Sequence, residues 1–177
     1  MDTEALIAQG YADRKEYRPG DAKQHFSEAI ALSKSTSDRS GLARALAGLG
    51  QIERDLHNQS AARRNYEESV ALYRTLDNPL ALAHTIRHLA DILRGQGEYT
   101  LAESCYAEAL QIYRRHEKTQ PLDLANTLRG YGLLQTADHK KQEALQLWRE
   151  ARDLYAQCNV EAGVAESDRQ LARLAQL

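Results

Sequence analysis

The sequence contains few of the residues that mark several major classes of protein. Its 177 residues include two cysteines, three prolines, one phenylalanine and one tryptophan. Cys105 and Cys158 lie far apart, and no CxxC or Cys/His spacing is present. This excludes a disulfide framework and the usual zinc patterns, and it predicts reduced thiols. β-branched residues are also scarce, which favours an all-α protein.

Long apolar segments are missing as well. No run approaches the roughly 20 apolar residues that a membrane helix needs. The N-terminal stretch MDTEALIAQGY lacks the basic region and the apolar core of a signal peptide. We therefore expect a cytoplasmic protein without a membrane segment.

Neither charge sign is in clear excess, and no catalytic motif is evident. The chain has 23 Lys and Arg against 25 Asp and Glu, a formal net charge of −2. Such a balance predicts no general attraction to nucleic acid or acidic membranes. GxSxG and HExxH motifs are absent. Gly95-Gln96-Gly97 follows no predicted strand, and no Lys-Ser/Thr comes after it, so a phosphate loop is not predicted. We predict neither an enzyme nor a cofactor site.

What the sequence does contain is a repeated amphipathic hairpin, clearest between Leu82 and Glu117. Two patterns of helical period flank the break at Gly95-Gln96-Gly97. The apolar positions of the two patterns are Ile86, Leu89, Ala90 and Leu93, then Tyr99, Ala102, Tyr106, Ala109, Leu110 and Tyr113. Small alanines beside Tyr106 would let one helix pack closely on its partner. The segment is therefore predicted to be a helical hairpin.

This hairpin recurs at intervals of about 40 residues. Tyr106 has equivalents in Phe26, Tyr66 and Trp148, and Ala102 has equivalents in Ala22, Ala62 and Ala144. Unrelated helices would not stay in register over four copies. The aromatic residues at these positions are interpreted as core packing. The sequence thus predicts a repeat protein.

The third copy carries residues that identify a family. Gly97-Glu98-Tyr99, Ala102, Tyr106 and Ala109-Leu110, together with Leu89-Ala90, resemble the tetratricopeptide repeat. The spacing exceeds the usual 34 residues and is similar to the longer-helix variety in kinesin light chains and bacterial regulatory proteins. The resemblance implies an all-α, right-handed α-solenoid of antiparallel helical hairpins that forms one domain over 1–177. Its parts would be repeats at about 3–37, 39–78, 79–120 and 121–159, and a capping helix at 160–177.

The resemblance also implies a binding surface. In a tetratricopeptide array, the first helix of each hairpin lines the concave groove. The residues placed there are Tyr11, Arg14, Arg44, Gln51, Arg54, His84, Arg87, His88, Asp91, Arg94, Asn126, Arg129, Arg169 and Arg173. With Lys15 this face carries nine bases, opposed by Glu4, Asp55, Asp91 and Glu166. It is basic relative to the whole chain.

An alternative interpretation is a solvated face whose charges pair along their own helices. Arg87 and Asp91 have the i,i+4 spacing for this. Arg44, Arg54 and Arg129 have no evident partner within their own helices, which favours an anion-binding groove.

A metal site is the alternative for His84, His88 and Asp91, which share one helical face. No fourth ligand is evident, and no metal is predicted. His88 occupies the position of Gly48 and Gly130, so it can instead fill space between helices.

These features favour a protein-interaction scaffold whose groove binds a peptide segment of acidic character. Single-stranded nucleic acid in the same groove is one alternative, although Tyr11 is the main aromatic residue free to stack on a base. A structural assembly module is another. The sequence leaves open the identity of the partner, the oligomeric state and whether the chain is part of a longer protein.

Overall fold

The fold is all-α, as predicted. The computed structural model describes residues 2–176, which form nine α-helices and no strand. The helices are α1 (Thr3–Lys15), α2 (Pro19–Thr36), α3 (Arg39–Asp55), α4 (Gln59–Tyr73), α5 (Pro79–Gly95), α6 (Tyr99–Arg115), α7 (Pro121–Ala137), α8 (Lys141–Gln157) and α9 (Glu161–Ala175). Within the described part of the chain, no helix is both long enough and apolar enough to span a membrane.

The chain divides into two compact units, Met1–Thr85 and Ile86–Leu177, with the division inside α5. In the first unit α1 packs on α2, α2 on α3 and α3 on α4, and α1 also contacts α3. In the second unit α6, α7, α8 and α9 pack consecutively in the same way. Consecutive hairpin packing therefore confirms the predicted kind of fold. The contact between α1 and α3 brings two odd-numbered helices side by side.

The turn inside each hairpin has the same backbone geometry in all four copies. Tyr17, His57, Gly97 and His139 occupy equivalent positions and all have positive φ, between 57° and 79°. In the first copy the Tyr17 N–H donates to the Arg14 carbonyl at 3.2 Å, and the Arg18 N–H donates to the Asp13 carbonyl at 2.9 Å. This pair of bonds is the Schellman ending of an α-helix, which satisfies its last carbonyl groups.

Polar side chains hold the first two of these turns. Asp13 is 1% exposed and accepts hydrogen bonds from Arg18 at 2.5 Å and from Gln9 at 3.2 Å, with His25 Nδ1 at 2.6 Å. Burial by itself raises the pKa of Asp13, but the bonds from His25 and Gln9 outweigh it and lower the pKa. A buried carboxylate with this many partners is fully satisfied.

Glu53 takes the equivalent place in the second copy. It is buried, and it accepts from Asn58 of its own turn at 2.7 Å and pairs with Lys23 of α2 at 2.7 Å. Burial opposes ionisation of Glu53, yet the bonds from Lys23 and Asn58 lower its pKa. The carboxylate thus links α3 to α2 as well as to its own turn.

The core is built from large aromatic rings set against small residues. Phe26, Tyr66, Tyr106 and Trp148 are fully buried, as are Ala102 and Ala109. The sequence predicted this pattern, and the structure confirms it. A Cβ atom added at Gly48 would lie 2.3 Å from Cε1 of Phe26. Glycine at this position therefore permits the close approach of α3 to the Phe26 ring of α2.

Candidate functional site

In the first unit, arginines of the predicted binding face pair with carboxylates of the adjacent odd-numbered helix. Arg14 of α1 lies with its Nε 2.7 Å from Oδ2 of Asp55 at the end of α3. Arg44 of α3 forms an ion pair with Glu4 of α1. The hydrogen bond to Glu4 raises the pKa of Arg44. These four residues and Tyr11 are called the first-unit face below.

Tyr11 lies beside both arginines but is only partly accessible. Its ring packs edge-on against Phe26, with centroids 5.1 Å apart at an interplanar angle of 79°. Burial raises the pKa of its hydroxyl, although Arg44 and Arg14 act in the opposite direction. Packing on Phe26 therefore uses part of the ring surface that a nucleic-acid base would need.

The remaining predicted residues of the first unit contribute less accessible surface. Gln51 is buried. Arg54 is half-buried, and its Nη2 lies 3.7 Å from Oδ1 of Asp55. Asp55 belongs to the same helix, so the expectation that Arg54 lacks a partner within its own helix is wrong. His84, near the start of α5, is half-buried as well.

In the second unit, Asp91 of α5 is the centre of a hydrogen-bond network. The hydroxyl of Tyr106 donates to Asp91 Oδ1 at 2.6 Å, and Arg87 Nη1 donates to Asp91 Oδ2 at 3.3 Å. Arg94 Nε donates to the Tyr106 hydroxyl at 3.4 Å. Burial, reinforced by the negative charge of Asp91, raises the pKa of Tyr106. Asp91 thus already has neighbours that satisfy both of its oxygens.

His88 is buried beside Arg87, with its Nε2 2.7 Å from Arg87 Nη2. A guanidinium can only donate, so His88 Nε2 accepts and the ring proton lies on Nδ1, 3.9 Å from Asp91 Oδ2. This arrangement uses the lone pair that a metal ion would need. Residues 2–176 contain no group of three or more His, Cys, Asp or Glu side chains placed to hold a metal.

Arg129 of α7 and Glu166 of α9 make the best-formed ion pair of the second unit. Arg129 Nε and Nη2 donate to the two carboxylate oxygens at 2.7 and 2.8 Å. The hydrogen bond to Glu166 raises the pKa of Arg129. Nearby, the Tyr155 hydroxyl donates to Asn126 Oδ1 at 2.8 Å, and burial raises the pKa of Tyr155 to about 12.

Two further arginines of α9 remain open to solvent. Arg169 and Arg173 are exposed, and neither forms an ion pair with any residue in the described part of the chain. They follow Glu166 by three and seven positions, which places them on the same side of the helix. The second-unit face is defined as Arg87, Asp91, Arg94, Asn126, Arg129, Glu166, Arg169 and Arg173.

The structure thus adds partners that the sequence analysis did not assign to Arg44 and Arg129. Each lacks a partner in its own helix, as expected, but each pairs with a carboxylate on a neighbouring odd-numbered helix. The pairs Arg44–Glu4, Arg14–Asp55 and Arg129–Glu166 are separated by 40, 41 and 37 residues. A separation near one repeat length is the signal that would have revealed them.

A comparison with protein families identifies part of the chain. Residues 81–157 match the family model of the tetratricopeptide repeat. Residues 81–157 of this chain contain tetratricopeptide repeats. The match covers the third and fourth hairpins, and the family residues are clearest in the third. No curated protein sequence matches the chain.

Solved structures include proteins with similar folds. BtubC (BKLC) from P. vanneervenii superposes with a TM-score of 0.79 at 20% identity, covering 89% of this chain and 64% of BtubC. The chain therefore spans less than two thirds of the length of BtubC. A Podosopora anserina protein, described as a kinesin light chain with nearly identical TPR-like repeats, gives 0.76 at 14% identity. There the alignment covers 98% of this chain and 85% of the other. At these identities, the similarity shows the fold alone.

Tetratricopeptide repeats generally mediate protein–protein interaction. Residues 81–157 match the model of this repeat. The charges of the two faces bear on which partner that is.

Proposed function

We propose that this tetratricopeptide repeat protein is a scaffold that binds an acidic peptide segment of a partner protein through its odd-numbered helices. The observation that carries the proposal is the set of three arginine–carboxylate pairs between these helices, best formed in Arg129–Glu166. Arginine binds carboxylates through two parallel N–H donors, and Arg129 already does so. The faces therefore hold guanidinium groups in orientations that suit a carboxylate ligand.

Arginine is in excess on these faces. The predicted site contains eight arginines, opposed by the four carboxylates Glu4, Asp55, Asp91 and Glu166. In the second unit the excess is most accessible at Arg169 and Arg173. An acidic segment would find two cations there that have no ion pair among the described residues, next to the paired Arg129.

The carboxylates that already pair with these arginines compete with a ligand, but they do not prevent the ligand from binding. Arg14 and Asp55 are each more than a third exposed, and Arg129 is 40% exposed. Ion pairs that are this open to water contribute at most about 1 kcal/mol each. A ligand that offers several carboxylates in a row can therefore replace them, and added salt should weaken such binding.

The proposal is tested with a short fluorescein-labelled oligo-glutamate peptide followed by fluorescence anisotropy. The variant is Arg169→Glu/Arg173→Glu, which reverses two exposed charges with no ion pairs among the described residues. We expect affinity to fall by roughly tenfold, since each exposed contact contributes a fraction of a kcal/mol to about 1 kcal/mol. Binding by the unmodified protein should also weaken as salt is raised.

The matched control is Lys141→Glu/Arg149→Glu on α8, which changes the net charge equally on an even-numbered helix, at two residues with no ion pairs in the described part of the chain. It should bind the peptide nearly as well as the unmodified chain. Equal losses in both variants would show only a response to net charge and would overturn the proposal. Tighter binding of labelled oligo-uridine than of oligo-glutamate would instead support the nucleic-acid alternative.

A further inference from the structure

Tyr17 is exposed and has a backbone conformation that tyrosine disfavours. It lies in the turn between α1 and α2 with φ at 57°, and 93% of its surface is exposed. Glycine is the residue best suited to this region, and the third copy has Gly97 at the equivalent position. A side chain so exposed contributes little packing to the fold. Neither core packing nor backbone conformation therefore accounts for a tyrosine at position 17.

A second exposed apolar residue lies next to Tyr17. Leu56, the C-cap residue that follows α3, is 40% exposed. These two are among only four large hydrophobic side chains that are exposed in the described part of the chain. Both line one recess of about 210 Å³, together with Arg14, Pro19, Ile52 and Asp55. Apolar groups that gather at one surface recess indicate an interaction site rather than scattered exposure.

The size of the recess indicates its occupant. Pockets for whole small-molecule ligands measure about 300–1,000 Å³, so this one is too small for them. Stable self-association buries about 1,200–2,000 Å², far more than four apolar side chains around one recess supply. A single aliphatic side chain does fit a recess of this volume.

We propose that this recess, formed by Tyr17, Pro19, Ile52 and Leu56, binds one aliphatic side chain of the partner's peptide segment. Arg14 lines the recess and also belongs to the first-unit face, so the two are continuous. A carboxylate next to the aliphatic residue would lie within reach of Arg14. The inference rests on the proposed function in that the occupant is a peptide, and it adds that acidic residues flank an aliphatic anchor.

The test uses three short peptides and protein with ¹³C-labelled isoleucine and leucine methyl groups. One peptide is oligo-glutamate with a central leucine, the second has alanine in place of leucine, and the third has leucine between glycine and serine residues. We expect the leucine–glutamate peptide to bind about tenfold more tightly than the alanine version. Leucine has three more carbon atoms than alanine, and their partial burial in the recess accounts for a difference of this size. Both leucine peptides should shift the methyl resonances of Ile52 and Leu56.

The decisive variant is Tyr17→Gly, which removes the ring and also relieves the backbone. It should melt no lower than the unmodified protein, yet lose the preference for leucine over alanine. His139→Gly makes the same backbone change at the exposed equivalent position in the fourth copy, and it should retain the preference.

Each result bears on one proposal at a time. If the leucine and alanine peptides bind equally and the two methyl groups do not shift, the recess proposal is wrong while acidic binding stands. If the glutamate peptides bind no better than the glycine–serine peptide, the proposed function fails, and the methyl shifts still decide the recess. If Tyr17→Gly converts a dimer to a monomer in light scattering, a second copy fills the recess and the peptide assignment is overturned.

Discussion

Arg129 of α7 and Glu166 of α9 are joined by two parallel hydrogen bonds of 2.7 and 2.8 Å, and both side chains remain partly open to solvent. The pair has the geometry that an arginine adopts with a carboxylate ligand. In the proposed function, Glu166 therefore occupies the position that a carboxylate of the acidic peptide takes. This makes Glu166 a built-in competitor of the proposed ligand.

We predict that Glu166→Gln increases affinity for oligo-glutamate, because it frees Arg129 and removes a negative charge from the second-unit face. The expected gain is about threefold to fivefold, as for loss of a partly exposed ion pair. Fluorescence anisotropy measures it. The control is Glu150→Gln, which breaks the 2.6 Å pair with Arg114 between the even-numbered helices α6 and α8 and should leave affinity unchanged. If Glu166→Gln weakens binding, Arg129 does not contact the ligand.

Two glycine-to-alanine changes should have opposite effects on stability. At Gly48 the new Cβ would approach Phe26 to 2.3 Å inside the core, so we expect a loss of about 1–3 kcal/mol in the free energy of unfolding. At Gly20, near the start of α2, no neighbouring side chain or distant backbone atom lies within 4 Å of an added Cβ, and a gain of about 0.4–1 kcal/mol is expected. Urea denaturation compares them. Equal stability of the two variants would contradict the tight contact between α3 and Phe26.

Removal of α9 should expose the apolar flank of the fourth hairpin. Leu174 of α9 packs in one cluster with Ala144 and Trp148, and Gly163 lies against the ring of Tyr155. A chain that ends after Asn159 should unfold at lower denaturant concentration and self-associate, because a repeat array needs its terminal face covered. Denaturation and light scattering test this. A truncated protein that is equally stable and monomeric would show that α9 does not act as a cap.

Acid should destabilise the protein through the buried carboxylate of Glu53. Its pKa is lowered in the folded state, so its contribution is fully present above the usual glutamate value of 4.5 and disappears as pH falls through the lower folded value. We expect the free energy of unfolding to decline below about pH 4.5 for this reason. Glu53→Gln should be less stable than the unmodified chain at neutral pH and show a shallower decline in acid. An equally steep decline would mean that other carboxylates cause it.

The repeat pattern was sufficient to predict the helices and the core. Phe26, Tyr66, Tyr106 and Trp148 recur at nearly fixed spacing, and all four are buried. Each must fill the same space between two helices, so the requirement is visible as a repeated residue type. His88, which stands in place of Gly48 and Gly130, is buried as well.

The candidate site was predictable only in part. The sequence indicated which arginines belong to the odd-numbered helices, and the structure shows how they are paired. Arg44 lies 40 residues from Glu4, and within one helix neither has a suitable neighbour. The recess beside Tyr17 was missed because Leu56 and Pro19 carry no motif. Only the approach of the end of α3 to the first turn brings them together.

By itself, the sequence determined the all-α fold, the order of the hairpins and the aromatic and glycine positions of the core, because helix packing repeats the same local requirement about every 40 residues. The tertiary structure alone decided which charges are neutralised and which remain open. It paired Arg129 with Glu166 and left Arg169 and Arg173 without a partner among the described residues. The strength of an ion pair depends on the distance between two side chains, which changes over a few ångströms. The spacing of residues along one helix does not predict that distance when the two side chains belong to different helices.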